Sequence, residues 1–213
     1  EAAAREPHTV TLCGGYELAP GWTHPLLREL PGTIRMPARL DRGRGLQAAV
    51  EILGAELDGH RLGADALKPV VLDMVILYVL RAWFEEHSGG ETATGWAAAL
   101  ADPAVRTALN AVHDAPGHPW TVQELADRAR LSRATFSRRF GALTGRPPLA
   151  YLTWWRMTVA TELLRDPSAS IAAVASRVGY TSEFAFANAF KRHFGTAPGR
   201  FRRQPEPLAH RPR

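Results

Sequence analysis

Apolar positions change their period along this chain. From Thr9 to Tyr16 they alternate with polar ones and run into Gly14-Gly15, the pattern of a short hairpin. Proline and glycine recur between Pro20 and Gly45, which predicts extended chain and loops. Leu46 to Asp58 carries apolar residues at 46, 49, 50, 53 and 57, a one-sided helical stripe. Asp65 to His87 predicts a longer helix with Pro69 in its first turns, apolar on nearly every side from Val70 to Phe84. Such a helix is expected to be buried within its domain or against another chain. Asp102-Pro103 sets a capping carboxylate before a proline at the first helical position. The helix it opens runs to about Asp114 and ends in the loop Ala115-Pro-Gly-His-Pro119.

Beyond that loop the pattern occurs twice. Thr121 to Ser132 lies over Ser170 to Thr181 at an offset of 49, pairing Val122 with Ile171, Leu125 with Val174, Ala126 with Ala175 and Ala129 with Val178. A hydroxyl residue opens each copy, and Thr121 with Glu124 has capping-box spacing. A short turn follows, Arg130-Leu131 or Gly179-Tyr180, and then Ser132 or Thr181/Ser182 as the cap of a second helix. Phe136, Phe140 and Leu143 share one face of the first such helix, and Phe186, Phe190 and Phe194 one face of the other, now at an offset of 50. Copy two therefore holds one extra residue in its turn or cap. Gly145 with Pro147-Pro148, and Gly195 with Pro198, end the two helices.

A short helix with a small residue at its centre, a tight turn and an amphipathic helix make helix-turn-helix geometry, in which the second helix enters the major groove. The alternative is two helical hairpins with solvated charged faces. Charge separates the two: residues 1–105 carry 9 Lys/Arg against 14 Asp/Glu, net −5, and residues 106–213 carry 17 against 7, net +10. A basic half beside an acidic half points to one surface that meets a polyanion. No apolar run is long enough to span a bilayer, the start lacks the charge and apolar core of a secretory signal, and a single cysteine, Cys13, excludes an internal disulfide. A cytoplasmic, nucleoid-associated protein is expected.

Tyr151-Leu-Thr-Trp-Trp-Arg156-Met157 with Leu163-Leu164 joins the copies, and Val174-Ala175, Val178-Gly-Tyr180, Phe190-Lys-Arg192, Phe194-Gly195, Pro198 and Phe201-Arg202 punctuate the second. On these residues the stretch from about Trp96 to Arg203 resembles the AraC/XylS family of transcription regulators. The resemblance implies a mainly α chain with a seven-helix module, its two helix-turn-helix units joined by a linker helix and reading successive major-groove segments roughly one turn apart. Two features depart from the pattern. Asn188 stands where close relatives usually have arginine, and Gly141 inside the first reading helix costs about 1 kcal/mol. Leu12-Cys-Gly-Gly-Tyr16, His24-Pro-Leu-Leu27 with Leu30-Pro31, and Gly95 to Pro103 resemble the end of a cupin-type sensor domain found in a subgroup of these regulators. Most of a cupin's strands have no counterpart, so a short β remnant of the barrel is expected ahead of the helices, in a chain that begins near the barrel's end.

The expected domains are residues 1–100 (cupin remnant and dimerisation helices), 101–205 (tandem helix-turn-helix) and 206–213 (basic tail). Base reading is assigned to Ala134, Ser137 and Arg138 in the first unit and to Glu183, Phe184, Ala187 and Asn188 in the second. Arg138 is suited to guanine and Asn188 to adenine. Phosphate contacts are assigned to Ser132, Arg133, Arg139, Arg146, Thr181, Ser182, Lys191, Arg192, Arg200 and Arg202. Double-stranded DNA, a second copy of the chain, an unidentified small-molecule effector and RNA polymerase are the expected partners, with activation of transcription as the readout. No cofactor, metal or catalytic residue is expected, since His8, Cys13 and His24 share no compact ligand spacing. The competing readings are a cupin-type metal-dependent enzyme and a DNA-repair fusion. Repair by methyl transfer needs a Pro-Cys-His-type setting, whereas Cys13 precedes Gly14-Gly15.

Overall fold

The computed structural model describes residues 24–35, 44–58, 62–87 and 95–203. Helices fill these stretches and no strand occurs among the described residues. The hairpin expected over Thr9 to Tyr16 lies outside them. No β remnant appears among the described residues, and within the stretch expected as extended chain and loops the chain makes a 3-10 turn, Pro25–Arg28. Pro25 fixes the first backbone angle of that turn, and the His24 ring nitrogen accepts the Leu26 N–H at 3.1 Å, so a cap and a proline together favour coiling over extension.

The chain divides into two compact units, residues 1–17 with 33–86 and residues 18–32 with 87–213. The described part of the first holds α1 (Arg44–Asp58) and α2 (Ala64–His87). Only Ala64, Val71 and Phe84 of α2 are buried, while Leu67, Val70 and Leu77 are 47%, 61% and 63% exposed. All-round burial of this helix within its own domain is thus not what the described residues show.

The second unit holds α3 (Gly95–Ala101) and then seven helices: α4 (Pro103–Asp114), α5 (Val122–Arg128), α6 (Arg133–Thr144), α7 (Pro148–Arg165), α8 (Ile171–Arg177), α9 (Glu183–Phe194) and α10 (Pro198–Arg202). The two repeats are α5–α6 and α8–α9, and α7 joins them. Near its start α7 offers Tyr151 to Phe140, ring centres 5.8 Å apart. Further along, its Met157, Ala160 and Leu164 form one buried cluster with Val174, Val178, Phe186 and Phe190. Each such side chain contributes about 1.5–3 kcal/mol on burial, so one helix anchors both halves.

The turns of the two repeats superpose bond for bond. In the first, Leu131 N–H donates to Ala126 O and Arg130 N–H to Asp127 O; in the second, Tyr180 N–H donates to Ala175 O and Gly179 N–H to Ser176 O. This is the Schellman arrangement, which requires a left-handed residue after the helix. Gly179 adopts it at φ 80°, but the first repeat sets Arg130 there at φ 56°. The register holds through Tyr180, and Ser182 rather than Thr181 caps α9. Thr181 is therefore the extra residue of copy two.

Backbone proximity brings the halves together. A Cβ on Gly179 would stand 2.6 Å from Gly117 O, and one on Gly117 would stand 2.7 Å from Arg177 O. Arg156 of α7 closes this junction: its Nε donates to Pro116 O at 2.7 Å and a terminal nitrogen to His118 O at 2.8 Å, and its guanidinium lies 5.9 Å from the Tyr180 ring centre. Burial lowers its pKa, the Tyr180 hydroxyl opposing.

The 3-10 turn docks into the same unit. His24 stacks edge-on against Trp96 and Trp154, centroids 4.8 and 5.1 Å away, and Glu29 accepts the Trp96 N–H at 2.6 Å. His24 Nδ1 is an acceptor, so Nε2 carries the proton toward the Tyr151 hydroxyl at 3.4 Å; that hydroxyl lies 2.7 Å from His113 Nε2. Burial, with His113 assisting, lowers the His24 pKa from 6.5 to about 4.

Two predictions follow from these contacts. Gly179→Ala should cost about 2 kcal/mol or more in chemical denaturation, and Arg130→Gly, relieving a left-handed arginine, should be neutral or mildly stabilising; equal losses at both positions would contradict the account. His24 binds fewer protons folded than unfolded between pH 6.5 and about 4. Its neutral ring therefore contributes fully above pH 6.5, and that contribution declines as pH falls toward 4. The melting temperature of the natural chain should drop more steeply across that window than that of His24→Phe, and parallel profiles would rule this out.

Candidate nucleic-acid interface

Each reading helix starts from a serine cap. Ser132 Oγ accepts the Thr135 N–H at 3.3 Å and donates to Thr135 Oγ1 at 2.9 Å, and Ser182 Oγ accepts the Ala185 N–H at 3.3 Å. Both helices end on a left-handed glycine, Gly145 at φ 70° and Gly195 at φ 73°. Between these ends, Phe136 and Phe140 in α6, and Phe186 and Phe190 in α9, are fully buried. Their burial turns the opposite face of each helix outward. Arg133, Ala134, Arg138 and Arg139 are exposed on α6, with Ser137 and Gly141 half-buried. On α9, Glu183, Phe184, Asn188, Lys191 and Arg192 are exposed and Ala187 is half-buried.

The two faces differ in chemistry. Arg133, Arg138 and Arg139 make the α6 face cationic. The first turn of α9 presents a carboxylate, a phenyl ring and, one turn on, an amide; its cations, Lys191 and Arg192, come near the C-terminal end. Phe184 is 77% exposed.

Several expected phosphate contacts also hold the protein together. Arg139 Nε lies 2.5 Å from Asp102 Oδ2, and the other oxygen of that carboxylate caps α4 through Ala104 and Val105 N–H at 2.9 and 3.0 Å. One buried carboxylate thus sets the start of α4 and steadies α6. Arg202 donates to Ala169 O at 2.6 Å, bracing α10 against the loop ahead of α8. Arg138 forms no hydrogen bond or ion pair with the other described residues. Arg146 is half-buried beside His193, whose pKa is lowered by burial and then by that guanidinium. Thr181, Ser182, Lys191, Arg192 and Arg200 are exposed.

Glu124 does not close the capping box. Thr121 Oγ1 accepts the Glu124 N–H at 3.1 Å, but Glu124 Oε1 meets His118 Nε2 at 2.8 Å. Sequence reasoning also missed Arg156 as the junction, because its partners are carbonyls 38 and 40 residues earlier. The only signal was a cation on an otherwise apolar helix face. No group of three metal-binding side chains occurs among the described residues.

A helix-turn-helix domain model matches residues 125–204, and a cupin model matches residues 1–85. Among curated proteins the chain is 38% identical over 194 residues to an AraC-like transcription regulator of Streptomyces antibioticus, covering 91% of this chain and 63% of that one. It is 32% identical over 182 residues to the helix-turn-helix regulator AlkR of Acinetobacter baylyi, covering 84% and 58%. The chain thus spans less than two thirds of the length of these relatives. Among solved structures it is similar to the DNA-binding domain of AdpA in complex with a target DNA, at 37% identity over 47% of this chain and 90% of that one, with a TM-score of 0.44.

Proposed function

The chain belongs to the AraC/XylS family of helix-turn-helix regulators with an N-terminal cupin-like region, and from that premise we propose that it is a sequence-specific DNA-binding regulator of transcription. The carrying observation is the pair of reading helices, each fixed by a serine cap, two buried phenylalanines and a glycine end, on the half of the chain that bears the excess of arginine. The first helix-turn-helix supplies most base discrimination through Arg138, whose planar fork matches the two acceptors of guanine. In the second helix-turn-helix Asn188 pairs with adenine, and Lys191, Arg192 and Arg200 hold phosphates. Arg139 and Arg202 take backbone contacts in addition to their internal bonds. Residues 1–100 carry effector control and dimerisation, and the protein acts in the cytoplasm, where the chromosome is.

A second copy is the occupant we assign to the exposed stripe of α2. Leu67, Val70 and Leu77 are three and seven residues apart and line one face of that helix. Burying apolar side chains of this size on association contributes about 1.5–3 kcal/mol each.

DNA fragments enriched from a randomised pool by the full chain give the site. On it, log affinity should fall with log salt at a slope of about −5 to −7, for roughly 6–8 phosphates met. Arg138→Ala should cost about 1–3 kcal/mol and relax preference at one or two base pairs, more than Asn188→Ala does. Affinity indifferent to salt would refute DNA binding of this kind, and the reverse ranking would exchange the roles of the units. Leu77→Glu should sediment as a monomer; a folded variant of unchanged mass would remove the α2 interface.

A further inference from the structure

We infer that Phe184 is a specificity-determining residue that reads the 5-methyl group of thymine in the major groove. The inference rests on the proposed DNA-binding function and gives the second unit a defined target. Three phenylalanines of α9, Phe186, Phe190 and Phe194, pack toward α7, α8 and α10. Phe184 lies two residues before Phe186, about 200° around the helix, and faces the other way. It is 77% exposed, the most exposed large apolar side chain of the second unit among the described residues, and it stacks on no other described ring. The fold therefore does not use it. Burying a ring of this size is worth about 1.5–3 kcal/mol, so its exposure leaves an affinity for apolar surface unspent.

Its place narrows the occupant. Phe184 is the second residue of α9, immediately after the Ser182 cap and Glu183, in the first turn of a reading helix, where base edges are met. Along the major-groove edges of unmodified DNA the base chemistry is donors and acceptors, with one apolar group, the methyl carbon of thymine. A phenyl ring cannot answer the donors or acceptors, and it fits the methyl. Asn188, one turn on and on the same face, is about 5–6 Å away along the helix. That distance spans no more than two base pairs at 3.4 Å each, so the pair of side chains reads a thymine methyl and an adenine in neighbouring positions. Glu183, exposed beside them, disfavours close phosphate approach and keeps this turn over the bases rather than the backbone.

The test uses the full chain and its enriched site. Each thymine of the second half-site is replaced in turn by deoxyuridine, which keeps every hydrogen bond and lacks only the methyl. One replacement should weaken the natural chain by about fourfold, the value of one buried methyl-sized group. Phe184→Ala should lose the same factor on thymine DNA and be indifferent to that replacement. Putting 5-methylcytosine at the same position should recover part of the methyl's contribution relative to cytosine for the natural chain alone. If the site binds but every deoxyuridine is tolerated, if no thymine occurs in the second half-site, or if Phe184→Ala responds to deoxyuridine as the natural chain does, the assignment is wrong. Absence of any site-selective binding would count against the proposed function itself, a separate outcome.

Discussion

Arg156 is the interaction on which the module depends. It places a charged fork at the seam of the two repeats and satisfies it with two carbonyls of the 115–119 loop and the face of Tyr180. Among the described residues no carboxylate neutralises it there, so the carbonyl oxygens bear the cost of its desolvation, which holds only while the loop and the second turn stay where they are. Gly117 and Gly179 let the two backbones close to a distance that any side chain would forbid. Rigidity between the repeats thus comes from a specific polar contact across bare backbone, with α7 as the shared spine.

That seam explains why two copies of one pattern differ at this turn. The second repeat must keep glycine at its turn because Gly117 and Arg156 occupy the space where a side chain would stand. In the first repeat the equivalent residue, Arg130, is exposed and takes the same left-handed geometry. Their reading faces diverge too, one cationic, the other aromatic and amide.

The parts legible in the sequence were those governed by local rules. Caps at Asp102, Thr121, Ser132 and Ser170, stops at Gly145 and Gly195, and the phenylalanine spacing of both reading helices involve neighbours within four residues, and each lies where periodicity places it. What was illegible depends on distant partners. Asp102 reads as a cap and also holds Arg139, 37 residues away. His24 reads as a cue for a sensor domain, yet its ring sits among aromatic side chains of the second unit. The apolar girth of α2 reads as a buried helix, yet Leu67, Val70 and Leu77 stand exposed among the described residues. Of the assigned reading residues, Ala134, Arg138, Glu183, Phe184 and Asn188 are exposed and Ser137 and Ala187 half-buried, and exposure alone does not divide bases from phosphates.

The docking of His24 also bears on the order in which the molecule assembles. Its partners Tyr151 and Trp154 emerge from the ribosome long after it does; the hydrogen bond to Tyr151 spans 127 positions. The repeats, by contrast, close through contacts a few dozen residues apart. Loop closure across so long a span carries a larger entropic penalty than the short ones do, by about 1 kcal/mol. The 3-10 turn is therefore expected to seat last, onto a body already formed, and to leave first on partial opening. Hydrogen exchange at the Trp96 amide, which donates across to Glu29, would mark that departure while the helices remain closed.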